Sequence, residues 1–255
     1  MMDKTIRQMT KIRGIVDVEV RKVIDEIIAL CWQYKHLGKR FSFTAVAGLD
    51  ARINALLVKL SDLLYERFDN LTLELVEEQD RDDALAYIHR TINGKSHLER
   101  IDAHSTHLKH YLEGFIAVAF VANIDIQAAL LDAKTYLSNP MLYKHWRDAV
   151  GKGFTAGILQ TGEYGYGRGV LKNPIDGLTM LGQMTVNSGY QFGVVRGYRR
   201  MGAIGYGVQR NSNYDCPLCD SLTKVVHPLN SIVLPAHGHC VCSTFPIYEK
   251  DYFQK

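Results

Sequence analysis

The sequence predicts a mainly α protein, with long N-terminal helices and a small α+β domain at its C-terminal end. Three observations lead there. Apolar residues recur at helical spacing through most of the first 150 positions, seven glycines fall within the 19 positions from Gly151 to Gly169, and short β-like stretches surround four of the five cysteines in the last quarter. The implied division is an elongated helical domain over 1–150, a glycine-rich hinge over 151–173 and a compact domain over 174–255. With 255 residues, 47% of them hydrophobic, the chain can bury the core of one large or two modest domains.

From Lys4 to Tyr34, the residues Ile12, Ile15, Val18, Val23, Ile27 and Leu30 recur every three to five positions between charged ones. This predicts an amphipathic helix that Gly38 terminates. After the small-residue segment from Phe41 to Gly48, Asp50 can cap a second helix on the stripe Ile53, Leu56, Leu57, Leu60, Leu63, Leu64 and Phe68. The pattern persists towards His89, which predicts a long antiparallel or coiled-coil-like arm with a break near Asn70. Asn93-Gly94 is a turn signal, and Ser96 with Glu99 three residues later forms a capping box for a third helix through Leu108, Leu112 and Phe115. A fourth helix starts at Asp125 and stops before Asn139-Pro140. Beyond the glycine-rich segment, Pro174 suits a first helical turn, and a helical face through Ile175, Leu178, Leu181, Val186, Tyr190, Val194 and Tyr198 runs to Gly202. The β-like stretches are Ile204–Gln209, Thr223–Val226 and Ile232–Leu234.

Several classes are disfavoured. The longest apolar run, Gly114 to Ile124, is well short of the roughly 20 residues that span a bilayer, and the charged N-terminus is unlike a secretory signal. No membrane association and no export are expected. The segment GEYGYGRG matches neither phosphate-cradling glycine fingerprint. A net charge of +3 confines any nucleic-acid contact to a local patch, and Arg196, Arg199, Arg200 and Arg210, interleaved with Tyr198 and Tyr206, form the candidate DNA-binding stretch. The same arginines equally suit a solvated helix end. His104, His107 and His110 read as a solvated or interface face, and Trp32 and Trp146 as core or interface anchors.

The cysteines carry the chemistry. Cys31 stands alone, whereas Cys216, Cys219, Cys240 and Cys242 lie within 27 positions, and in an unexported chain such a cluster points to metal rather than disulfides. Cys216-Pro217-Leu218-Cys219 is a C-x-x-C turn, separated by 17 residues from His237-Gly238-His239-Cys240-Val241-Cys242. Two such knuckles suit a tetrahedral zinc ion with thiolates at about 2.3 Å. Cys216, Cys219, His237 and Cys240 are the preferred ligands because H-x-x-C reproduces the compactness of the first knuckle. Cys242 and His239 are alternates, Cys242 ahead, and His227 lies on the connecting excursion. The donor count predicts a closed structural Zn2+ site and no enzyme. A metal-free thiol cluster or a disulfide is one alternative, and a catalytic zinc with Asp215 or Asp220 as base is another.

The run Asn187 to Leu222, NSGYQFGVVRGYRRMGAIGYGVQRNSNYDCPLCDSL, followed by LPAHGHCVC, resembles the C-terminal region of the phage Mu F-like minor head proteins. In that family a helix ending in glycine precedes a strand, an aspartate, C-x-x-C and a P-x-H-x-x-C-x-C block. Here Gly202, Asp215, Cys216, Cys219, Pro235, His237, Cys240 and Cys242 stand at those positions. Gly238, His239 and Val241 depart from the proline, asparagine and arginine common in the last block, and without that arginine the resemblance implies no specific phosphate contact there. The resemblance spans about residues 174–247. It implies a minor component of a tailed-phage head, present in several copies near the portal vertex. Its partners would be the portal and other head or neck proteins, together with genomic DNA. The implied location is the virion, and the host cytoplasm during assembly. A nucleic-acid-binding zinc-ribbon protein and a zinc hydrolase are the alternative readings.

Overall fold

Capping chemistry sets several of the helix boundaries in the computed structural model, which describes residues 2–138, 174–211, 215–236 and 240–252. The described chain is mainly helical: α1 (Met2–Trp32), α2 (Leu49–Leu73), α3 (Arg81–His89), α4 (His97–Val121), α5 (Ile126–Ser138), α6 (Pro174–Arg200), the short α7 (Pro217–Leu222) and α8 (Glu249–Tyr252). Strands β1 (Gly205–Gln209) and β2 (Ser243–Ile247) form one antiparallel pair with Gly205 opposite Ile247 and Gln209 opposite Ser243. No described helix is long and apolar enough to cross a membrane.

The caps act as expected at several positions. Asp125 accepts the N–H groups of Gln127 and Ala128 at 2.9 and 3.0 Å, which holds its carboxyl below the usual range and starts α5. α4 begins directly after Ser96. Asn93 and Gly94 both take positive φ, 51° and 76°, and the Ile92 and Lys95 backbones bond across them, so the turn is a two-residue hairpin of the primed type. At the end of α6, Gly202 has φ 78° and donates to Arg199 O, while Ala203 donates to Tyr198 O, closing the helix in a Schellman arrangement.

Other expectations are corrected. The buried face of α1 is Ile12, Val16, Val20, Ile24, Ile27, Ile28 and Cys31, and Val18 from the predicted stripe is exposed. The buried face shares Ile12 and Ile27 with the predicted stripe, and Val16, Val20, Ile24 and Ile28 take the remaining inward positions. α2 starts at Leu49, so Asp50 stands inside the first turn, where it pairs with Lys109 at 2.6 Å rather than capping. Gly38 acts in the 3₁₀ segment Lys35–Arg40 after α1 has already stopped. The break expected near Asn70 is present, three residues further on. α2 ends at Leu73, where Thr72 Oγ1 bonds back to Phe68 O at 2.9 Å, and a 3₁₀ turn at Glu78–Asp80 leads into α3.

The β expectation held only for β1. Thr223–Val226 and Ile232–Leu234 are not strands; His227 makes a single bridge to Tyr206, with N–H···O bonds of 2.9 and 2.8 Å in the two directions. The true partner is Ser243–Ile247, whose Pro246 reads against a strand. The register resolves this, because alternate residues of β2 face away from β1, so Pro246 needs no N–H there.

Contacts divide the chain into two compact units interleaved along the sequence, whereas the domain boundaries expected above follow chain order. One unit is Met1–Arg13, Tyr65–His97 and Met180–Lys255; the other is Gly14–Leu64 and Leu98–Thr179. The segment 151–173 and Trp146 lie outside the described residues. Trp32 meets Phe120 edge-on at 5.2 Å in the second unit, with Phe41 against Phe120 at 4.7 Å, which is the anchoring role expected of it. In the first unit, α6 carries Gly189 against α2, where a Cβ would lie 2.3 Å from Thr72 Cγ2.

Candidate metal centre

Cys216 begins the first knuckle as the N-cap of α7, with Pro217 in the position where a missing N–H costs nothing. Its Sγ accepts the Cys219 N–H at 3.5 Å. That N–H, the Cys219 thiol and the Leu218 N–H hold the Cys216 thiol below its ordinary range, and Arg210 adds to the effect. Cys219 lies one turn further on, and burial pushes its thiol well up. The second knuckle is the extended stretch before β2. Cys240 and Cys242 are both buried, at 1% and 5% exposure, while Val241 between them is half-buried.

The two knuckles meet. The sulfurs of Cys219, Cys240 and Cys242 all lie within 4.8 Å of one another, with Cys219 and Cys240 4.0 Å apart. Sulfurs about 2.3 Å from a tetrahedral ion sit about 3.8 Å from each other, so the spacing fits a thiolate-bound metal. These three cysteines can hold a metal ion, and they form the only such group among the described residues. Cys242, an alternate ligand in the sequence reading, is thus brought in. Cys216 shares the same buried cluster with Val195, Tyr198, Tyr206, Val208 and Leu234. His237 and His239 lie outside the described residues.

Most of the other described donors have contacts elsewhere. His227 Nε2 pairs with Leu222 O at 2.9 Å, and its ring packs against Tyr206 at 5.3 Å. His104 and His107 make an edge-on ring contact at 6.1 Å. Asp215 is exposed, and Asp220 is ion-paired with Arg210.

The four arginines do not form one patch of uncommitted charge. Arg196 pairs with Asp83, and Arg200 holds Asp80 through two bonds of 2.9 and 2.7 Å and Glu77 at 2.6 Å. Arg199 donates to Leu229 O at 3.2 Å. The interleaved tyrosines are tied down as well. Tyr198 donates its hydroxyl to Thr244 O at 2.7 Å, and Tyr206 donates to Ser231 O at 2.7 Å and accepts the Val233 N–H at 3.2 Å. Sequence reasoning found the basic residues but missed their partners, because Glu77, Asp80 and Asp83 are more than 100 positions away.

Two residues around the cysteines were not singled out from sequence. Asn211 Nδ2 donates to Val241 O and to Ser243 Oγ, both at 3.0 Å, and Asn187 Nδ2 donates to Cys240 O at 3.4 Å. The useful signal was adjacency: Asn211 lies two residues past the end of β1, and Asn187 stands in the glycine-ended helix of the motif run. Comparison with protein-family models, curated proteins and solved structures gives no match. Fold and site therefore define a class, a mainly helical protein with a buried cysteine cluster able to take a metal.

Proposed function

We propose that the chain is a minor head protein of a tailed bacteriophage, bound near the portal vertex and acting in head assembly, with a structural zinc ion in the cysteine cluster. The observation that carries this reading is the convergence of Cys219, Cys240 and Cys242, three of the positions on which the resemblance to the Mu F-like minor head proteins rests. The ligands would be these three cysteines, with Cys216 or a histidine of 237–239 completing the set. Such a closed thiolate set supplies folding energy rather than an open coordination position. Exposed Met201, Ile204, Val225, Val226 and Phe245 in the same unit support a docking role, since apolar side chains on the surface suit contact with another protein. The carboxylate partners of Arg196, Arg200 and Arg210 favour assembly over nucleic-acid binding as the main role.

The test is a phage lacking the gene, with electron microscopy of its particles and capture of portal protein by the purified chain. Aberrant heads, and density for the chain at the portal vertex of wild-type particles, are expected. Normal heads, together with no binding to portal or capsid protein, would end the reading.

A further inference from the structure

Two adjacent residues at the end of β1 reach opposite knuckles. Arg210 forms an ion pair with Asp220, the residue immediately after Cys219, and the Asp220 N–H in turn bonds Cys216 O at 2.9 Å. Asn211 bonds Val241 O, the carbonyl between Cys240 and Cys242, and with the same nitrogen Ser243 Oγ at the start of β2. One dipeptide just past β1 thus addresses both knuckles. Three or four thiolates around a divalent ion leave a net negative charge, and the ion pair with Asp220 holds the Arg210 guanidinium beside the first knuckle. Groups just outside the ligands fix their orientation and commonly set metal affinity.

We infer that Arg210 and Asn211 are positioning residues of the thiolate metal centre: Arg210 orients the first knuckle and offsets the thiolate charge, and Asn211 fixes the carbonyl between the second pair of cysteines. This rests on the metal reading of the cluster and gives Arg210 a role other than DNA contact. The two residues act through backbone and charge, without entering the coordination sphere.

The experiment is a Co2+ titration of the full chain, read by thiolate-to-cobalt charge-transfer absorption and by the visible bands of tetrahedral cobalt, followed by Zn2+ competition against a chromophoric chelator. Wild type should show both bands. Arg210→Gln and Asn211→Ala should each weaken metal affinity by roughly 10–100-fold. Arg210→Lys, which keeps the charge, should recover part of the loss. Arg196→Gln removes an ion pair elsewhere in the same unit and should leave the affinity unchanged. Absence of the cobalt bands in wild type defeats the metal reading itself. Normal wild-type bands with Arg210→Gln and Asn211→Ala within twofold of wild type overturn the positioning roles alone. If Arg210→Gln does not fold, Arg210→Lys decides its part: a full loss of affinity there excludes the charge role, and partial retention supports it.

Discussion

The unit formed by Gly14–Leu64 and Leu98–Thr179 and the cysteine-bearing part of the other unit are built on different cores. In the first, Ile53, Leu57, Leu60, Leu108, Leu112, Phe115 and Ile116 are buried, all large apolar side chains on long helices. In the second, the buried cluster has ten members and four are cysteines. A thiol removes much less apolar area from water than leucine or phenylalanine, so burial contributes less there. The short sheet and the tyrosine hydroxyls supply part of the difference, and the ion proposed for the cysteine cluster would supply the rest. One region is held by area, the other by a few specific ties.

The largest expected effect follows from that contrast. Stripping metal with a strong chelator, or replacing Cys219 with serine, should release the cysteine-bearing part, because structural zinc contributes on the order of 10 kcal/mol to such folds. Amide hydrogen exchange is the measurement: β1 and β2 lose protection while the α4 amides keep theirs. Equal protection in β1 with and without chelator would place the stability of this region in its apolar contacts after all.

Phe115→Ala is the converse. Its side chain is fully buried in α4, and its removal should cost about 3–5 kcal/mol through lost transfer energy and the cavity left behind. Denaturant unfolding measures the loss, and metal affinity should not change. A fall in metal affinity comparable to the loss of stability would show that the two cores are not separable in this way.

The same contrast explains what was readable in the sequence. Helices such as α1 and α4 announce themselves because every turn repeats the apolar signal, and their ends depend on local chemistry such as Asp125 or Asn93-Gly94. Which apolar face turns inward is less visible: on α1, Val16 and Val20 were chosen over Val18 by neighbours remote in sequence. The cysteine spacing disclosed a metal-capable site because ligands must come in compact pairs. The fit of Cys242 depended on how the chain runs into β2, a strand hidden by Pro246. The partners of the arginines were illegible, since the ion pair between Arg200 and Asp80 joins residues 120 positions apart.

Cys31 gives a smaller effect and sets a buried lone thiol against the clustered ones. Burial, and then the Glu113 carboxylate, push this thiol up to about 12. An unfolded thiol ionises near pH 9, roughly its model-peptide value. Between those two values the folded protein keeps a proton that the unfolded chain has lost. The stability tied to the neutral thiol is therefore complete below about pH 9 and lost as pH rises towards 12, at about 1.4 kcal/mol per pH unit. Cys31→Ala should flatten the fall of unfolding free energy between pH 9 and 11 relative to wild type. Identical slopes would mean that this thiol ionises as readily in the folded chain as in the unfolded one.

The smallest effect separates the two units by the sign of one substitution. Gly14 lies inside α1, and a Cβ there meets nothing within 4 Å, so Gly14→Ala removes unfolded-chain entropy without a clash. It should stabilise by roughly 0.5–1 kcal/mol. Gly189 lies inside α6, where the added carbon would fall 2.3 Å from Thr72 Cγ2. Thr72 is fully buried, and its hydroxyl is held by Phe68 O at 2.9 Å, so it cannot turn aside without breaking that bond. Gly189→Ala should destabilise by about 1–3 kcal/mol, the usual cost of overfilling a packed contact. Urea midpoints of the two variants decide the matter. Opposite shifts confirm that helix α6 needs its glycine for close approach to α2, whereas stabilisation by both would show that the α2–α6 contact has room to spare.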